Sequence, residues 1–199
     1  MAVEKLTRER RRQQTRDVLI AAATEVFAQR GFEGASLEEI AETAGFTRGA
    51  IYKHFADKED LFFAVTDGMN ELVIESFRAL APNAHTKEWD FSGLAEMWRA
   101  SVDDFEDLFA IGKEFELYVL RNPSARERAV AHRRKNRELV TAFIEEVAEL
   151  SGMTLRLPAA TLASIILAAA DGLTYAARVD NEDLFAPFLE LLNAGMIAD

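Results

Sequence analysis

Arg48, Tyr52 and Lys53 crowd into six residues with Gly49 between them, in the stretch Arg48-Gly49-Ala50-Ile51-Tyr52-Lys53-His54-Phe55. Wound at about 100° per residue, Ala50, Ile51, His54 and Phe55 fall within one arc of roughly 140°, and Arg48, Gly49, Tyr52 and Lys53 fill the opposite one. One face is therefore apolar and packs. The other offers a guanidinium, a bare backbone, a phenol and an ammonium. That set suits a DNA major groove: Arg48 can make a bidentate bond to guanine, and Gly49 lets the helix approach closely. Tyr52 and Lys53 suit phosphates. His54 falls on the packing arc and reads there as a core histidine.

No constellation for catalysis stands beside this one. The three histidines, His54, His85 and His132, are far apart, with no H-E-x-x-H spacing. The serines lack a nucleophile-elbow context, and there is no glycine-rich phosphate loop. No cofactor and no metal are implied; a metal-assisted ligand through His132 or His85 is the minor alternative. The absence of cysteine removes disulfides, thiolate zinc sites, a cysteine nucleophile and a thiol switch, and it fits a reducing, cytoplasmic setting.

The net charge of −11 at first argues against a polyanionic partner, but its distribution reverses that view. Residues 1–55 carry nine Lys/Arg against eight Asp/Glu, and the other residues carry 14 against 26. Lys5, Arg8, Arg10, Arg11, Arg12 and Arg16 face only Glu4 and Glu9 within residues 1–16. A positive tip on a negative body suits contact with a polyanion through one end. Arg10–Arg12 either extends along a DNA backbone or into a minor groove, or is a solvated, frayed tail. A second basic run, Arg126 to Arg137, reads as a solvated face because its residues spread round a helix.

The elements that must position the groove-facing residues are all helical, given 49% hydrophobic residues with only 10 glycines and 4 prolines among 199 residues. The first helix runs from Thr7 to Arg30, stopped by Gly31. Ser36 caps a second, with Glu39 placed to complete a capping box, and Gly45 ends it. Thr47 opens a third, to about Phe55. Asp57 opens a fourth that buries Leu61, Phe62, Val65, Met69, Leu72 and Phe77. Residues 82–90 read as a loop. A fifth helix carries Phe91, Leu94, Ala95, Trp98, Val102, Phe105 and Phe109 on one face. The sixth covers about Ile111 to Leu120 and the seventh Ser124 to Leu150. The eighth starts at Pro158 and reaches about Val179, and Asn181 or Asp180 caps the ninth. The longest apolar stretch, Ala159 to Ala170, is short of the roughly 20 residues a membrane span needs, so no membrane segment is expected.

Ala41 four residues before Gly45 and Ile51 six after it give the spacing of a helix-turn-helix. A plain two-helix corner is the alternative. The whole stretch Ser36-Leu37-Glu38-Glu39-Ile40-Ala41-Glu42-Thr43-Ala44-Gly45-Phe46-Thr47-Arg48-Gly49-Ala50-Ile51-Tyr52-Lys53-His54-Phe55-Ala56-Asp57-Lys58-Glu59-Asp60-Leu61 resembles the DNA-binding signature of the TetR family of bacterial transcription regulators. Ile20 to Phe32 resembles that family's first helix. The resemblance covers about residues 16–61. It implies an all-α, nine-helix protomer with a DNA-binding head at 1–56 and a ligand-binding and dimerisation body at 57–199. It also implies a homodimer on a palindromic operator and a small-molecule effector. Carried over by position, Arg48, Gly49 and Tyr52 resemble recognition contacts; Ser36, Thr47, Lys53, His54 and Lys58 resemble phosphate contacts.

Leu162, Ile165, Ile166, Ala169, Leu173 and Ala176, with Leu184, Phe188, Leu191 and Leu192, offer more apolar surface than one neighbour covers, so residues 158–197 are expected to pair with a second copy. An ordinary monomer core is the alternative. Central aromatics could wall a cavity for a small, largely apolar ligand, with Trp98, Phe105, Phe109, Tyr118 and Tyr175 as the expected lining and Asp171 as a polar anchor. The same aromatics also fit plain core. The expected function is a ligand-responsive DNA-binding repressor. A helical small-molecule-processing enzyme and a constitutive DNA binder without effector are the other readings.

Overall fold

A computed structural model describes residues 7–81, 91–104 and 106–196. Among them the chain forms nine α-helices and no β-strand: α1 Arg8–Gly34, α2 Leu37–Thr43, α3 Arg48–Ile51, α4 Lys58–Leu80, α5 Phe91–Asp104, α6 Glu106–Arg121, α7 Pro123–Ser151, α8 Ala159–Tyr175 and α9 Phe185–Met196. They pack into two compact units. The first holds residues up to Met69 with Glu106–Ala129; the second holds Asn70–Phe105 with Val130–Asp199.

In the first unit, α1 starts where Thr7 Oγ1 accepts from Arg10 N at 3.2 Å, so Arg10–Arg12 are helical. Helical dihedrals fail at Gly31, whose φ of 71° breaks the helix where the sequence places its stop. The chain then resumes a short turn to Gly34. Phe27, Phe32 and Phe55 form the core with Leu19, Ile40, Ile51 and Leu61, all nearly fully buried. Phe115 of α6 joins them, its ring 4.8 Å from Phe32 and 4.3 Å from Phe62. Each buried phenylalanine contributes about 1.5–3 kcal/mol, and each edge or tilted ring pair about 0.5–1.5 kcal/mol more. Glu114 of α6 accepts from Phe32 N at 2.9 Å, satisfying an amide that the break at Gly31 leaves without a helical partner.

Asp57 opens α4 as expected. Its Oδ1 accepts from Asp60 N at 2.8 Å, while Asp60 Oδ2 accepts from Ala56 N at 3.0 Å. Arg128 Nη1 donates to Asp57 Oδ2 at 2.8 Å and to Glu59 Oε2 at 2.7 Å, and Tyr118 Oη donates to Glu59 Oε1 at 2.8 Å.

In the second unit, Ile74, Val140, Phe143, Ile144, Val147, Ala159, Leu162 and Ala163 form one core cluster. Leu94, Ala95, Phe185 and Leu189 form another, where the Trp98 and Phe185 rings stack at 4.5 Å.

Several boundaries differ from the sequence expectation. α3 ends at Ile51, yet winding continues, because Tyr52 keeps right-handed α dihedrals and Phe55 N still bonds Ile51 O at 3.0 Å. α7 begins at Pro123 and not Ser124, since a proline loses nothing in a first turn where its missing N–H has no partner to find. α5 ends at Asp104 and α6 starts at Glu106, earlier than Ile111. Pro158 caps α8 from outside its first turn. α8 ends at Tyr175 and passes into a π-helical stretch, Ala176–Asp180, closed by Asn181 at φ 57°. Asn181 thus ends that stretch; Asp183 Oδ1 accepts from Phe185 N at 3.2 Å at the start of α9. Leu72, expected on the buried side of α4, is 62% exposed. The stretch Ala159–Asp180 is 22 residues, long and apolar enough to cross a membrane by length and composition, and longer than the run read from sequence.

Candidate functional site

Ser36 accepts from Glu39 N at 3.1 Å and starts α2. The Glu39 carboxylate turns to Arg30 Nε at 3.1 Å, so the expected box is formed on its serine side. The helix closes on Gly45, at φ 72°, with Gly45 N bonding Glu42 O at 2.9 Å and Phe46 N bonding Ala41 O at 2.8 Å. This pair of bonds needs a left-handed residue, and glycine supplies it without a Cβ penalty. The turn then delivers Thr47 in extended conformation, its hydroxyl exposed and making no cap bond.

The arcs read from the sequence appear in the packing. Ile51 and Phe55 are buried, and Ala50 and His54 half-buried. Arg48, Gly49, Tyr52 and Lys53 are exposed. A Cβ built on Gly49 would meet nothing within 4 Å. Glu38 of α2 ties the outward face together: its Oε1 lies 2.8 Å from Arg48 Nε and accepts from Tyr52 Oη at 3.3 Å. The Arg48 guanidinium also sits 5.8 Å from the centre of the Tyr52 ring.

The basic part of α1 borders this face. Arg16 stacks its guanidinium 4.4 Å from the Phe55 ring centre. Burial lowers the His54 pKa from its usual 6.5, and the charges of Arg12, Arg16 and Lys53 lower it further. Those three cations therefore all act on His54, on the side of the turn, and positive charge gathered there suits a polyphosphate backbone. Lys58 is placed differently from the expectation. Its Nζ donates to Glu33 O and Ala35 O, each at 2.9 Å, and lies 4.8 Å from the Phe32 ring centre. Burial holds its ammonium below the usual lysine range. It ties the end of α1 to the start of α4.

The second unit contains a partly open cavity of about 190 Å³ lined by residues of α4, α5, α7, α8 and α9 and of the α7–α8 connection. Trp98 lines it, as do Phe77, Phe143, Ile166, Leu173 and Phe188. Asn70 and Asn136 are the polar side chains among the lining residues.

Residues 19–65 match the family model for bacterial regulatory proteins of the tetR family. A relative 30% identical over 159 residues, spanning 79% of this chain and 77% of its own length, is the HTH-type transcriptional repressor AcnR of Corynebacterium diphtheriae. This chain belongs to the TetR family. It is accordingly a DNA-binding transcriptional regulator, and the enzyme reading falls away. Solved structures share the fold. Salmonella enterica GusR superposes with a TM-score of 0.66 at 23% identity, covering 95% of this chain and 96% of its own. A Saccharomonospora viridis protein solved in complex with choline gives 0.59 at 17% identity, covering 94% and 100%.

Within this TetR-family chain, the expected ligand residues part company. Trp98 lines the cavity, and Phe105 lies outside the described residues. Tyr118 and Phe109 belong to the first unit. Tyr118 packs on the Phe32 ring with its hydroxyl on Glu59, whose hydrogen bond raises the tyrosine pKa, and Phe109 carries the Lys113 ammonium 5.2 Å from its ring centre. Asp171 and Tyr175 are exposed and lie outside the cavity wall. Central position in the chain gathered all these aromatics into one list. The fold divides them, because α6 completes the first unit's core and the outer face of α8 is not covered. Asn70, Asn136 and the tether Glu38 were not singled out from sequence. Asn70 with Val73, Ile74 and Phe77, and Asn136 with Val140, Phe143 and Val147, each begin an apolar stripe at helical spacing. That polar start was the available signal.

Proposed function

We propose that the chain is a homodimeric repressor that holds a palindromic operator and releases it when a small, largely apolar molecule fills the second unit's cavity. The observation that carries the DNA side is the sorting of one short helical turn, with Ile51 and Phe55 buried beneath an exposed Arg48, Gly49, Tyr52 and Lys53. Arg48 reads a base edge, and Gly49 allows close approach of the helix. Ser36, Thr47, Lys53 and His54 border the phosphates, joined by Arg12 and Arg16 of α1. Lys58 supports the interface by fixing α1 to α4.

One such turn binds weakly. Two, set about 34 Å apart on one dimer, read two half-sites in consecutive major grooves and multiply the specificity. The dimer forms through residues 158–197. Ile165, Tyr175, Val179, Leu184 and Leu191 are between 43% and 74% exposed there, more apolar surface than an isolated protomer usually leaves in water. This use also accounts for the long apolar helix without a membrane. Operator binding places the protein in the cytoplasm.

Release runs through α4. The helix starts at Lys58 beside the head and contributes Asn70, Val73, Ile74 and Phe77 to the cavity. A ligand bound more tightly when α4 is displaced shifts the population toward heads that no longer match the operator, and its differential affinity sets the size of that shift. Footprinting on the intergenic DNA beside the protein's own gene tests this reading. A protected palindrome that is lost on adding a cavity ligand supports it, and protection unaffected by any ligand that occupies the cavity overturns the release step.

A further inference from the structure

Arg8, Arg10, Arg11, Arg12 and Arg16 crowd the start of α1, where folding does not favour them. Arg8, Arg10 and Arg11 lie in the first turn, with their charges against the positive end of the helix dipole. Arg8 and Arg12, and Arg12 and Arg16, are like charges one turn apart, which repel. No apolar contact holds these turns down, because Thr7 to Gln14 are all exposed and the first buried residue is Leu19. Ion pairing does not offset the repulsion either. Among the described residues none of the five arginines pairs with a carboxylate, and nearby Asp17 accepts from Gln13 Nε2 at 2.8 Å. In a chain of net charge −11, so local an uncompensated surplus suits a polyanionic partner.

Helical register sorts the five. At about 100° per residue, Arg8, Arg12 and Arg16 fall within an arc of about 80°, and Leu19, Ala23 and Val26 continue that arc into the core. The three rungs are about 6 Å apart and span about 12 Å. Arg11 lies about 60° outside the arc and Arg10 about 120°. The line leads to the end of the recognition turn: Arg16 stacks 4.4 Å from the Phe55 ring centre, and the charges of Arg12 and Arg16 both act on His54. Stacking uses the face of the Arg16 guanidinium and leaves its N–H edge to bond.

The cap on Thr7 makes the run helical from Arg8 onward, unlike a frayed tail. A helix about 10–12 Å across does not enter a minor groove about 6 Å wide, as an extended arm would. We propose that Arg8, Arg12 and Arg16 form a ladder along the phosphates of one DNA strand beside the half-site, with Arg10 and Arg11 left in solvent. The ladder rests on the DNA-binding reading given above and adds to it a contact that carries affinity without sequence.

Fluorescence anisotropy of the full-length protein on random-sequence duplexes, across a salt series, tests this. Each phosphate contact contributes about −0.9 to the slope of log affinity against log salt. Arg8→Gln and Arg12→Gln are each expected to make the slope shallower by about 0.9 per protomer, equally on A·T-rich and G·C-rich duplexes. Arg10→Gln and Arg11→Gln are expected to change it by less than about a third of that. A charge-conserving variant tests the register itself. One alanine inserted between Gln13 and Gln14 turns Arg8 and Arg12 about 100° off the line, and is expected to give at least half the loss of the double variant Arg8→Gln/Arg12→Gln. Equal losses in all four single variants, or an insertion without effect, overturn the ladder in favour of unplaced positive charge. Losses confined to A·T-rich duplexes overturn it in favour of a minor-groove arm. Undiminished slopes in every variant overturn it while DNA binding by the head stands. If the unmodified protein shows no salt-dependent binding, the DNA reading fails and the ladder with it.

Discussion

Glu38 and Arg48 meet across the helix turn at 2.8 Å, and the same carboxylate oxygen takes the Tyr52 hydroxyl at 3.3 Å. An acidic residue beside the exposed arginine looks adverse for a surface that must approach phosphates. Its effect is to hold two long side chains in one geometry before DNA arrives. The Arg48 and Glu38 side chains are 71% and 44% exposed, so the pair adds about 0–1 kcal/mol to folding, and its consequence is expected in recognition. Arg48→Ala is expected to cost about 1–3 kcal/mol on the operator and to relax the preference at one base pair. Glu38→Gln is expected to tighten binding to random DNA while narrowing the operator-to-random affinity ratio several-fold. Fluorescence anisotropy on both DNAs across a salt series measures each effect. An unchanged ratio in Glu38→Gln would remove the tether from the readout.

Two glycines separate folding from binding. At Gly31 the backbone has φ 71°, and a Cβ there would lie 2.5 Å from Glu114 Oε2, the atom that accepts from Phe32 N. Gly31→Ala is therefore expected to add positive-φ strain, about 1–3 kcal/mol, to a displaced Glu114, and to lower the melting temperature. Gly49 has open space where its Cβ would go. Gly49→Ala is expected to leave the melting temperature unchanged or raised, because alanine is the better helix former, and to weaken operator binding through contact with the groove. Thermal unfolding and anisotropy on the two variants give opposite patterns if the assignment holds.

How far the site was legible follows from the range of the interactions involved. The outward-facing arc depends on neighbours a few residues apart, and periodicity alone sorted Arg48, Gly49, Tyr52 and Lys53 from Ile51 and Phe55. The role of Lys58 was not readable, since Glu33 and Ala35 lie 25 and 23 residues away and their carbonyls accept from its ammonium only after α1 and α4 pack. The cavity was harder still. Tyr118 and Trp98 look equivalent as aromatics on amphipathic helices, and only the assignment of α6 to the first core distinguishes them. Asn136 was hidden in plain composition, a neutral residue inside a cationic run.

Acid stability should reveal the network beneath the head. Burial raises the Asp57 pKa, but hydrogen bonds from Arg128 and from the Asp60 and Glu59 amides outweigh it and hold the carboxyl below its ordinary 3.8. A depressed carboxyl contributes stability that is present above the unfolded-state value and is lost as pH falls through the lower folded value. Arg128→Met is therefore expected to destabilise the protein at pH 7 by on the order of 1 kcal/mol, screening included, and to cost progressively less below about pH 4 as Asp57 gains its proton. Urea unfolding of both proteins between pH 7 and 3 tests this. The Arg128 guanidinium also lies 5.8 Å from the Phe63 ring centre, and a penalty that stays constant over the range would assign the loss to that contact and not to the ion pair.

His54 gives a pH dependence of opposite sense. Its folded pKa lies below 6.5 through burial and the nearby Arg12, Arg16 and Lys53 charges. Above 6.5 both states are neutral there, and the group contributes nothing. As pH falls below 6.5 the unfolded chain takes up a proton first, so stability declines toward the folded pKa and then levels. DNA is expected to change the balance, because phosphates facing the same three cations would offset the charge-borne part of the shift, which adds to that of burial. Operator binding near pH 6 is therefore expected to be coupled to proton uptake, with affinity rising as pH falls from 7.5 to 6. His54→Gln is expected to flatten both slopes while preserving binding at pH 7.5, where the imidazole is already neutral. Anisotropy titrations over that interval decide the matter: a slope that survives the substitution places the proton elsewhere, and a loss of binding at pH 7.5 makes the imidazole a direct contact.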